Sequence, residues 1–192
     1  LIAENGTPVF EKAVGWADVK AEKPMAIDSR QRIGSVTKMF TSVLVFQAIE
    51  AGKLSLDQKL SDFYPQIKNA EKITISHLLQ HRSGIFNITN RLDYPIYRTQ
   101  AHTEEELLAK MLEGGSVFEP DSKADYSNSN YILLTFILEK ISGKSYKNLL
   151  QESILDPLQM RDTYIFGPIS VEKGETKSYI YNGKWQEDLE AQ

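Results

Sequence analysis

The sequence predicts an α/β domain of the α+β type, in which a strand-forming N-terminal edge precedes a helical middle. Two observations indicate this class. Strand-like segments surround the dipeptide Asn5-Gly6, and two long apolar segments, residues 39–49 and 130–141, each stop near a glycine. At 192 residues and 41% hydrophobic composition, the chain is long enough for one domain with a buried core.

A hairpin is predicted at the N-terminus because Asn-Gly is the dipeptide that most strongly favours a two-residue hairpin turn. Its strands are predicted over residues 1–4 and 9–14. Since an isolated two-stranded unit is at best marginally stable in water, the hairpin needs further strands. Residues 165–166 and 179–181 are the candidate partners.

Helices are predicted where apolar residues follow a cap signal and stop at glycine. Residues 39–49 are apolar on nearly every face, which predicts a buried helix whose first turn opens at an interface or cleft. Thr103 and Glu106 have the spacing of a capping box. The predicted helices cover residues 39–49, 73–81, 103–114, 130–141 and 145–152.

The charge composition excludes several classes of partner. The net charge is −4 and the pI is near 5.5, with basic residues scattered along the chain. Nucleic-acid binding needs a clustered basic surface, so no nucleic-acid partner is expected. No apolar run approaches ~20 residues, so no transmembrane segment is predicted. No signal-peptide pattern begins at Leu1.

The cysteine and histidine content argues against metal sites and disulfides. The chain has no cysteine and three histidines. His77 and His81 lie four residues apart in a predicted helix, but His102 does not follow at a metal-binding spacing. We therefore expect packing and capping roles for the histidines, with no metal and no other cofactor.

The tetrapeptide Ser35-Val36-Thr37-Lys38 is the first candidate catalytic motif. Residues three apart share one helix face, so the Lys38 amine can reach the Ser35 hydroxyl. A serine hydroxyl is a poor nucleophile until a neighbouring base takes its proton, and a neutral lysine can act as that base. The alternative is structural: Ser35 caps the helix and Lys38 extends to solvent.

A second Ser-x-x-Lys tetrapeptide, Ser170-Val171-Glu172-Lys173, has a different context. It follows Gly-Pro and leads into a polar stretch, which predicts an exposed turn. We therefore interpret it as a chance match of a short pattern.

Tyr126-Ser127-Asn128 is the second candidate motif, because it lies between a turn and a predicted helix. A tyrosine hydroxyl can relay a proton beside a lysine, and an asparagine amide can bind a substrate carbonyl. Taken alone, the pattern favours structural roles, with Tyr126 in a turn and Asn128 as an N-cap. Tyr146-Lys147-Asn148 has the same spacing but lies in a predicted amphipathic helix, where it is expected to pack.

Four ordered segments, which include both motifs, resemble one family. They cover residues 33–41, 78–84, 126–131 and 154–160. In this order they resemble the serine β-lactamase and penicillin-binding protein superfamily, in particular its class C branch, which includes D-alanyl-D-alanine carboxypeptidases and esterases. Tyr-x-Asn as second motif indicates this branch, since the class A form has Ser-Asp-Asn.

The resemblance implies both a fold and a mechanism. The implied fold is an antiparallel sheet flanked by helices, with an all-helical lobe beside it. The implied mechanism has Ser35 attack a carbonyl to form an acyl-enzyme, while Lys38 and Tyr126 share the proton transfers and Asn128 orients the substrate. Which of Lys38 and Tyr126 is the base stays open. His81 is expected to brace the helical lobe rather than touch the substrate.

The chain departs from the family pattern in two places. Pro120-Asp121 stands where the family usually has Pro-Gly, which predicts an altered turn before Tyr126. The family's third motif is a Lys or His followed two positions later by Gly on a late strand, and it has no match in a suitable context. In the family that strand also supplies one of the two N–H groups of the oxyanion hole, and the Ser35 backbone N–H is the candidate for the other.

These departures predict a single incomplete domain over residues 1–192. We expect residues 1–33 to form the N-terminal sheet region, residues 34–165 to hold the active-site helix and the helical lobe, and residues 166–192 to return to the sheet. Because the predicted sheet lacks strands, we expect the chain to be truncated at both ends and to continue beyond Gln192 into the third motif.

Three functions fit these observations. The first is a serine hydrolase that acts on peptidoglycan-like D-Ala-D-Ala peptides, β-lactams or small esters. The second is a non-catalytic relative that binds penicillin or cell-wall peptide. The third is a structural helical domain with coincidental motifs. The resemblance also implies a small-molecule or peptide substrate and an exported location, and it leaves the oligomeric state open.

Overall fold

The computed structural model describes residues 1–165 and 167–188. The chain separates into two compact units. One, here called the helical unit, is Ser35–Tyr164, and the other, the strand unit, joins Leu1–Gly34 to the chain from Ile165 onward. All four predicted site residues lie in the helical unit.

The helical unit contains six α-helices, connected by short turns. The first helix follows a 3-10 turn at Gly34–Val36, and the last continues into a π-helical turn at Gln151–Leu155. Further 3-10 turns lie at Leu60–Asp62 and Ile88–Asn90. The helices are α1 (Thr37–Glu50), α2 (Ile75–Leu79), α3 (Tyr94–Tyr97), α4 (Glu104–Gly114), α5 (Asn128–Ser142) and α6 (Tyr146–Leu150).

Helix α5 lies at the centre of the core. Its residues Leu133, Leu134 and Ile137 are fully buried, and the helix contacts α1, α2 and α6. Burying one such side chain contributes about 1.5–3 kcal/mol relative to leaving it exposed. The apolar residues of α5 therefore fix the position of its first turn, where Asn128 lies.

Local signals in the sequence explain how the helices begin and end. The predicted capping box at Thr103 is present: its hydroxyl accepts the Glu106 N–H at 3.2 Å, and the Glu106 carboxylate accepts the Thr103 N–H at 3.0 Å. His77 completes a second capping box with Thr74, at the start of α2. Helix α5 ends at Gly143, whose φ of 68° is left-handed and favours glycine.

The strand unit contains three antiparallel pairs in its described residues: β1 (Ile2–Glu4) with β2 (Thr7–Phe10), β3 (Trp16–Asp18) with β4 (Lys23–Pro24), and β5 (Tyr179–Tyr181) with β6 (Trp185–Glu187). Its N- and C-terminal segments are held together by hydrogen bonds. Lys177 N–H donates to the Ala17 carbonyl at 3.0 Å, and the Tyr179 hydroxyl donates to Asp18 Oδ1 at 3.1 Å.

Several predicted boundaries differ from the observed ones. The second hairpin strand covers Thr7–Phe10 rather than residues 9–14, because Asn5 and Gly6, with φ of 50° and 79°, form the whole turn. The predicted strand at 179–181 is present, but it pairs with β6 and not with the hairpin. Ile165 is not in a strand, and Phe166 lies outside the described residues.

Helix α1 is buried on one face rather than all round. Thr41, Leu44 and Val45 are buried, whereas Met39 and Phe46 are 68% and 48% exposed. The prediction of a fully buried helix was wrong, because a helix that is apolar on every face is fully buried only when other elements pack against every face. Over the described chain, no helix has both the length and the apolarity needed to cross a bilayer.

Candidate active site

Ser35 and Lys38 are joined by a hydrogen bond at the start of α1. Ser35 lies in the 3-10 turn Gly34–Val36 and is exposed, and Lys38 lies in the first turn of the helix and is half-buried. Lys38 Nζ donates to Ser35 Oγ at 3.3 Å. Ser35 does not cap α1, because the N-cap residue is Val36, which makes no side-chain cap bond.

Tyr126 and Asn128 complete a cluster with these two residues. Ser35 Oγ and the Tyr126 hydroxyl are hydrogen-bonded at 2.7 Å, although 91 residues separate them in the sequence. Lys38 Nζ donates to Asn128 Oδ1 at 2.7 Å, and the Tyr126 hydroxyl lies 3.3 Å from the same oxygen. The Lys38 amine is therefore directed into the cluster and not into solvent. The structure brings all four predicted site residues together.

Asn128 is the first residue of α5, and it is neither in a loop nor an N-cap. The prediction began this helix near residue 130, whereas the N-cap residue is Ser127, in an extended conformation with φ of −139°. The helix therefore carries Asn128 directly. A helix whose residues are buried two turns further along holds a polar side chain in its first turn more rigidly than a loop would.

The turn before Tyr126 forms despite the aspartate at position 121. Asp121 has a φ of 68°, in the left-handed region where glycine is usual and aspartate is tolerated. Its carboxylate accepts from Arg82 Nε at 2.5 Å, and its N–H donates to the Arg82 carbonyl at 2.8 Å. These bonds explain how the chain turns here without the Pro-Gly pair.

His81 braces the segment that carries Tyr126. Its Nδ1 accepts the Ser127 N–H at 3.2 Å, and its carbonyl accepts the Asp125 N–H at 2.8 Å. Its ring centroid lies 4.5 Å from that of Tyr126 and 5.2 Å from that of Tyr131. The residue has a φ of 57°, a strained conformation that these contacts stabilise.

Burial and the Lys38 charge affect the pKa values of His81 and Tyr126. Burial and the nearby Lys38 charge lower the pKa of His81, so the ring is neutral near pH 7 and its Nδ1 can accept. Partial burial would raise the pKa of Tyr126, but the hydrogen bonds with Lys38 and Ser35 and the Lys38 charge lower it below its ordinary value. Lys38 Nζ also lies 4.8 Å from the centre of the Tyr126 ring.

Asn87 and Thr89 also contact the cluster, and the sequence analysis did not identify them. Asn87 Oδ1 accepts the Asn128 N–H at 3.1 Å, and Thr89 Oγ1 accepts from Asn128 Nδ2 at 3.1 Å. Asn and Thr are common in caps and turns, so the pattern Asn-x-Thr predicts a local turn and gives no sign of a contact with Asn128. Only the fold places these two side chains beside Asn128.

The competing motifs have other surroundings. The Tyr146 hydroxyl bonds to Thr41 Oγ1 at 2.8 Å inside the helical unit, and burial raises the pKa of Tyr146. Ser170 precedes a 3-10 turn at Val171–Lys173 in the strand unit. His102 Nε2 bonds to the Tyr97 carbonyl at 2.9 Å.

Comparison with known proteins identifies the family. A family model described as Beta-lactamase matches residues 1–192. The chain belongs to the β-lactamase family. This membership confirms the resemblance carried by the four sequence segments, and it accounts for the α+β fold.

Three named relatives match most of the chain. Penicillin-binding protein 4* of Bacillus subtilis is 28% identical over 187 residues, which cover 94% of this chain and 41% of that protein. Teichoic acid D-alanine hydrolase of Staphylococcus aureus is 26% identical over 94% of this chain and 44% of its own length. A crystal structure of D-amino acid amidase from Ochrobactrum anthropi SV3 superposes with a TM-score of 0.80, at 28% identity, and covers 88% of this chain and 47% of the amidase.

The chain thus spans less than half the length of each of these three relatives. The activity, substrates and partners of the whole protein are therefore proposals.

Proposed function

We propose that the chain carries the acylation site of a serine hydrolase, with Ser35 as its nucleophile. One observation supports this most strongly: the Ser35 hydroxyl is hydrogen-bonded to the Tyr126 hydroxyl at 2.7 Å and to the Lys38 amine at 3.3 Å. A nucleophile needs a group within hydrogen-bond reach that can take its proton, and here two such groups meet one hydroxyl.

The proposed reaction has two halves. Ser35 Oγ attacks the substrate carbonyl carbon, and its proton passes to the pair formed by Tyr126 and Lys38. The tetrahedral intermediate then expels the leaving group, which takes a proton from the same pair, and an ester of Ser35 remains. Water attacks that ester, gives up a proton to the pair, and releases the acid as Ser35 Oγ is reprotonated.

Each neighbour of Ser35 has a proposed part in these transfers. Because its pKa is lowered, the Tyr126 hydroxyl gives up its proton more readily, and the Lys38 charge stabilises the phenolate that can then take the Ser35 proton. Asn128 holds Lys38 through its side-chain oxygen at 2.7 Å, and one amide hydrogen beyond the bond to Thr89 can serve a substrate carbonyl.

The proposed substrates are acyl compounds: peptidoglycan-like D-Ala-D-Ala peptides, β-lactams or small esters. The name of one relative specifies D-alanine on teichoic acid, and that of another specifies a D-amino acid amide. Both names specify a D-amino acid, which favours the D-Ala-D-Ala peptides among the proposed substrates. Peptidoglycan and teichoic acid are cell-envelope polymers, so a protein acting on them would be exported.

Parallel turnover assays test this proposal. The whole protein and its Ser35→Ala variant are assayed against nitrocefin, a D-Ala-D-Ala peptide and p-nitrophenyl acetate. We expect turnover of at least one substrate, and a fall of at least about 1000-fold in the variant. Labelling by penicillin without turnover would indicate a binding protein instead. If the protein shows no labelling and no turnover, the proposed acylation site is contradicted.

A further inference from the structure

We propose that Asn87 and Thr89 are positioning residues that fix the direction of the Asn128 side-chain amide, and so direct hydrogen bonds toward the Ser35 nucleophile. The kinetic consequence rests on the proposed function, whereas the structural part stands on the contacts alone. Asn87, Thr89 and Asn128 are joined by hydrogen bonds, and in each of them only one group can be the donor. Together these bonds determine whether the oxygen or the nitrogen of the Asn128 amide faces Lys38.

The direction begins at Asn87. The backbone N–H groups of Thr89 and Asn128 lie 3.3 Å and 3.1 Å from Asn87 Oδ1. A backbone N–H can only donate, so the Asn87 atom that faces both groups must be the amide oxygen and not the nitrogen. Asn87 therefore presents an acceptor to its neighbours.

Thr89 passes this direction to Asn128. Its Oγ1 lies 3.0 Å from Asn87 Oδ1 and 3.1 Å from Asn128 Nδ2. The hydroxyl has one hydrogen, and Asn87 Oδ1 can only accept, so the hydrogen goes to Asn87. The lone pairs of Thr89 Oγ1 then face Asn128, which must offer its NH2 group in return.

The oxygen of Asn128 is thereby turned toward the reacting groups. Asn128 Oδ1 lies 2.7 Å from Lys38 Nζ and 3.3 Å from the Tyr126 hydroxyl, and both donate to it. A Tyr126 hydroxyl that gives its hydrogen to Asn128 has lone pairs free for the Ser35 hydroxyl at 2.7 Å. A reversed amide would place its NH2 group against the Lys38 amine and would use the Tyr126 lone pairs.

The turn that carries Asn87 and Thr89 is held firmly against α5. Ile88, between them, is 2% exposed and donates its N–H to Ser129 Oγ at 3.1 Å. The Tyr97 hydroxyl donates to the Ile88 carbonyl at 2.7 Å. Because Ser129 directly follows Asn128, these bonds connect the turn to the first residues of α5 and help to hold the cluster in place.

Substitution of Thr89 tests the proposal. Thr89→Val keeps the side-chain shape and removes the hydroxyl, and Thr89→Ser keeps the hydroxyl. Thr135→Val is the matched control, since Thr135 is also half-buried and its hydroxyl bonds at 3.0 Å to the Tyr131 carbonyl. We expect Thr89→Val to lower the acylation rate of Ser35 by p-nitrophenyl acetate about 10-fold. Thr89→Ser should stay within about 3-fold of the wild-type rate, and Thr135→Val should leave it unchanged.

A second readout does not depend on activity. The side-chain amide resonances of Asn128 in a nitrogen-15 NMR spectrum report its partners, and we expect them to shift in Thr89→Val and to return in Thr89→Ser. If Thr89→Val does not fold, Thr89→Ala is measured in the same way. Unshifted Asn128 resonances in the variant, or a Thr89→Ser variant as slow as Thr89→Val, would overturn the proposal.

The two proposals fail in distinguishable ways. If the wild-type protein is not acylated at Ser35, the proposed function is wrong, and the Asn128 resonances alone decide whether Asn87 and Thr89 fix the amide.

Discussion

The two Ser-x-x-Lys tetrapeptides of this chain have the same spacing and different surroundings. In the first, the Lys38 amine bonds to Ser35 and to Asn128, and Ser35 bonds to Tyr126. In the second, Ser170 and Lys173 bond through their backbone groups: Ser170 N–H donates to the Glu175 carboxylate at 2.7 Å, and Lys173 N–H donates to the Ser170 carbonyl at 3.0 Å.

The difference shows that the Ser-x-x-Lys spacing only permits the serine and lysine to interact. Residues far away in the sequence determine which further side chains the pair contacts. Three residues of separation place a serine and a lysine on one side of a turn in either case. In the first pair, Lys38 meets Asn128 in the first turn of α5 and Ser35 meets Tyr126 just before that helix, because α1 and α5 pack together in the core. The predictions below test whether this is the difference that matters.

The largest expected effect comes from removing the two serines in turn. Ser35→Ala should abolish acylation and turnover, because it removes the proposed nucleophile. Its free energy of unfolding should change little, since Ser35 does not cap α1. The matched variant Ser170→Ala should keep wild-type turnover. Steady-state kinetics and urea denaturation of both variants check this. An equal loss of turnover in the two variants would contradict a difference in function between the two tetrapeptides.

The two lysines give the next largest effect. Lys38→Arg should be almost as damaging as Lys38→Ala, with losses of at least about 100-fold, because a guanidinium stays protonated and cannot take part in proton transfer. Lys173→Arg should have no effect. Single-turnover acylation rates measure this, and near-normal acylation by Lys38→Arg would show that only the charge at position 38 matters and that Tyr126 or water is the base.

The two tyrosines of Tyr-x-Asn spacing give a third test. Tyr126→Phe should lower the acylation rate about 100-fold, with substrate binding less affected, because the ring stays and the hydroxyl beside Ser35 is lost. Tyr146→Phe removes a hydroxyl that bonds to Thr41 and should leave the rate near wild type. Separate measurement of kcat and KM distinguishes these outcomes. An equal fall in both variants would argue against a specific part for Tyr126.

The smallest effect concerns the pH dependence of stability at His81. The folded pKa of His81 is lowered, so below about pH 6.5 the unfolded chain binds the proton first. The neutral ring therefore makes its full contribution to the free energy of unfolding above that pH. This contribution is lost as the pH falls through the lower folded pKa. His81→Asn, which tolerates positive φ, should reduce this loss. Urea unfolding at pH 5 and pH 7.5 measures it, and identical pH dependence in both proteins would be a contradiction.

Much of the fold and the candidate site followed from local patterns. The capping box at Thr103, the glycine stop at Gly143 and the hairpin turn at Asn5-Gly6 are each determined by a few adjacent residues, so the sequence was sufficient for them. The four site residues were found because their motifs recur in a fixed order in one family, and the family match confirms that resemblance.

What the sequence could not predict depends on residues far apart in the chain. Asn87 and Thr89 carry no catalytic signal of their own and become relevant only through contact with Asn128, about 40 residues later. The exposed face of α1 likewise depends on which distant residues pack against the helix. The left-handed Asp121 is stabilised by Arg82, 39 residues away, so its turn could not be judged from Pro120-Asp121 alone.

Peptide mapping by mass spectrometry tests the central claim most directly. The whole protein is exposed to a penicillin or an activated ester, digested, and searched for the covalent adduct. The account predicts an adduct on the peptide that contains Ser35 and none on the peptide that contains Ser170. An adduct on Ser170, or labelling that persists in the Ser35→Ala variant, would contradict it.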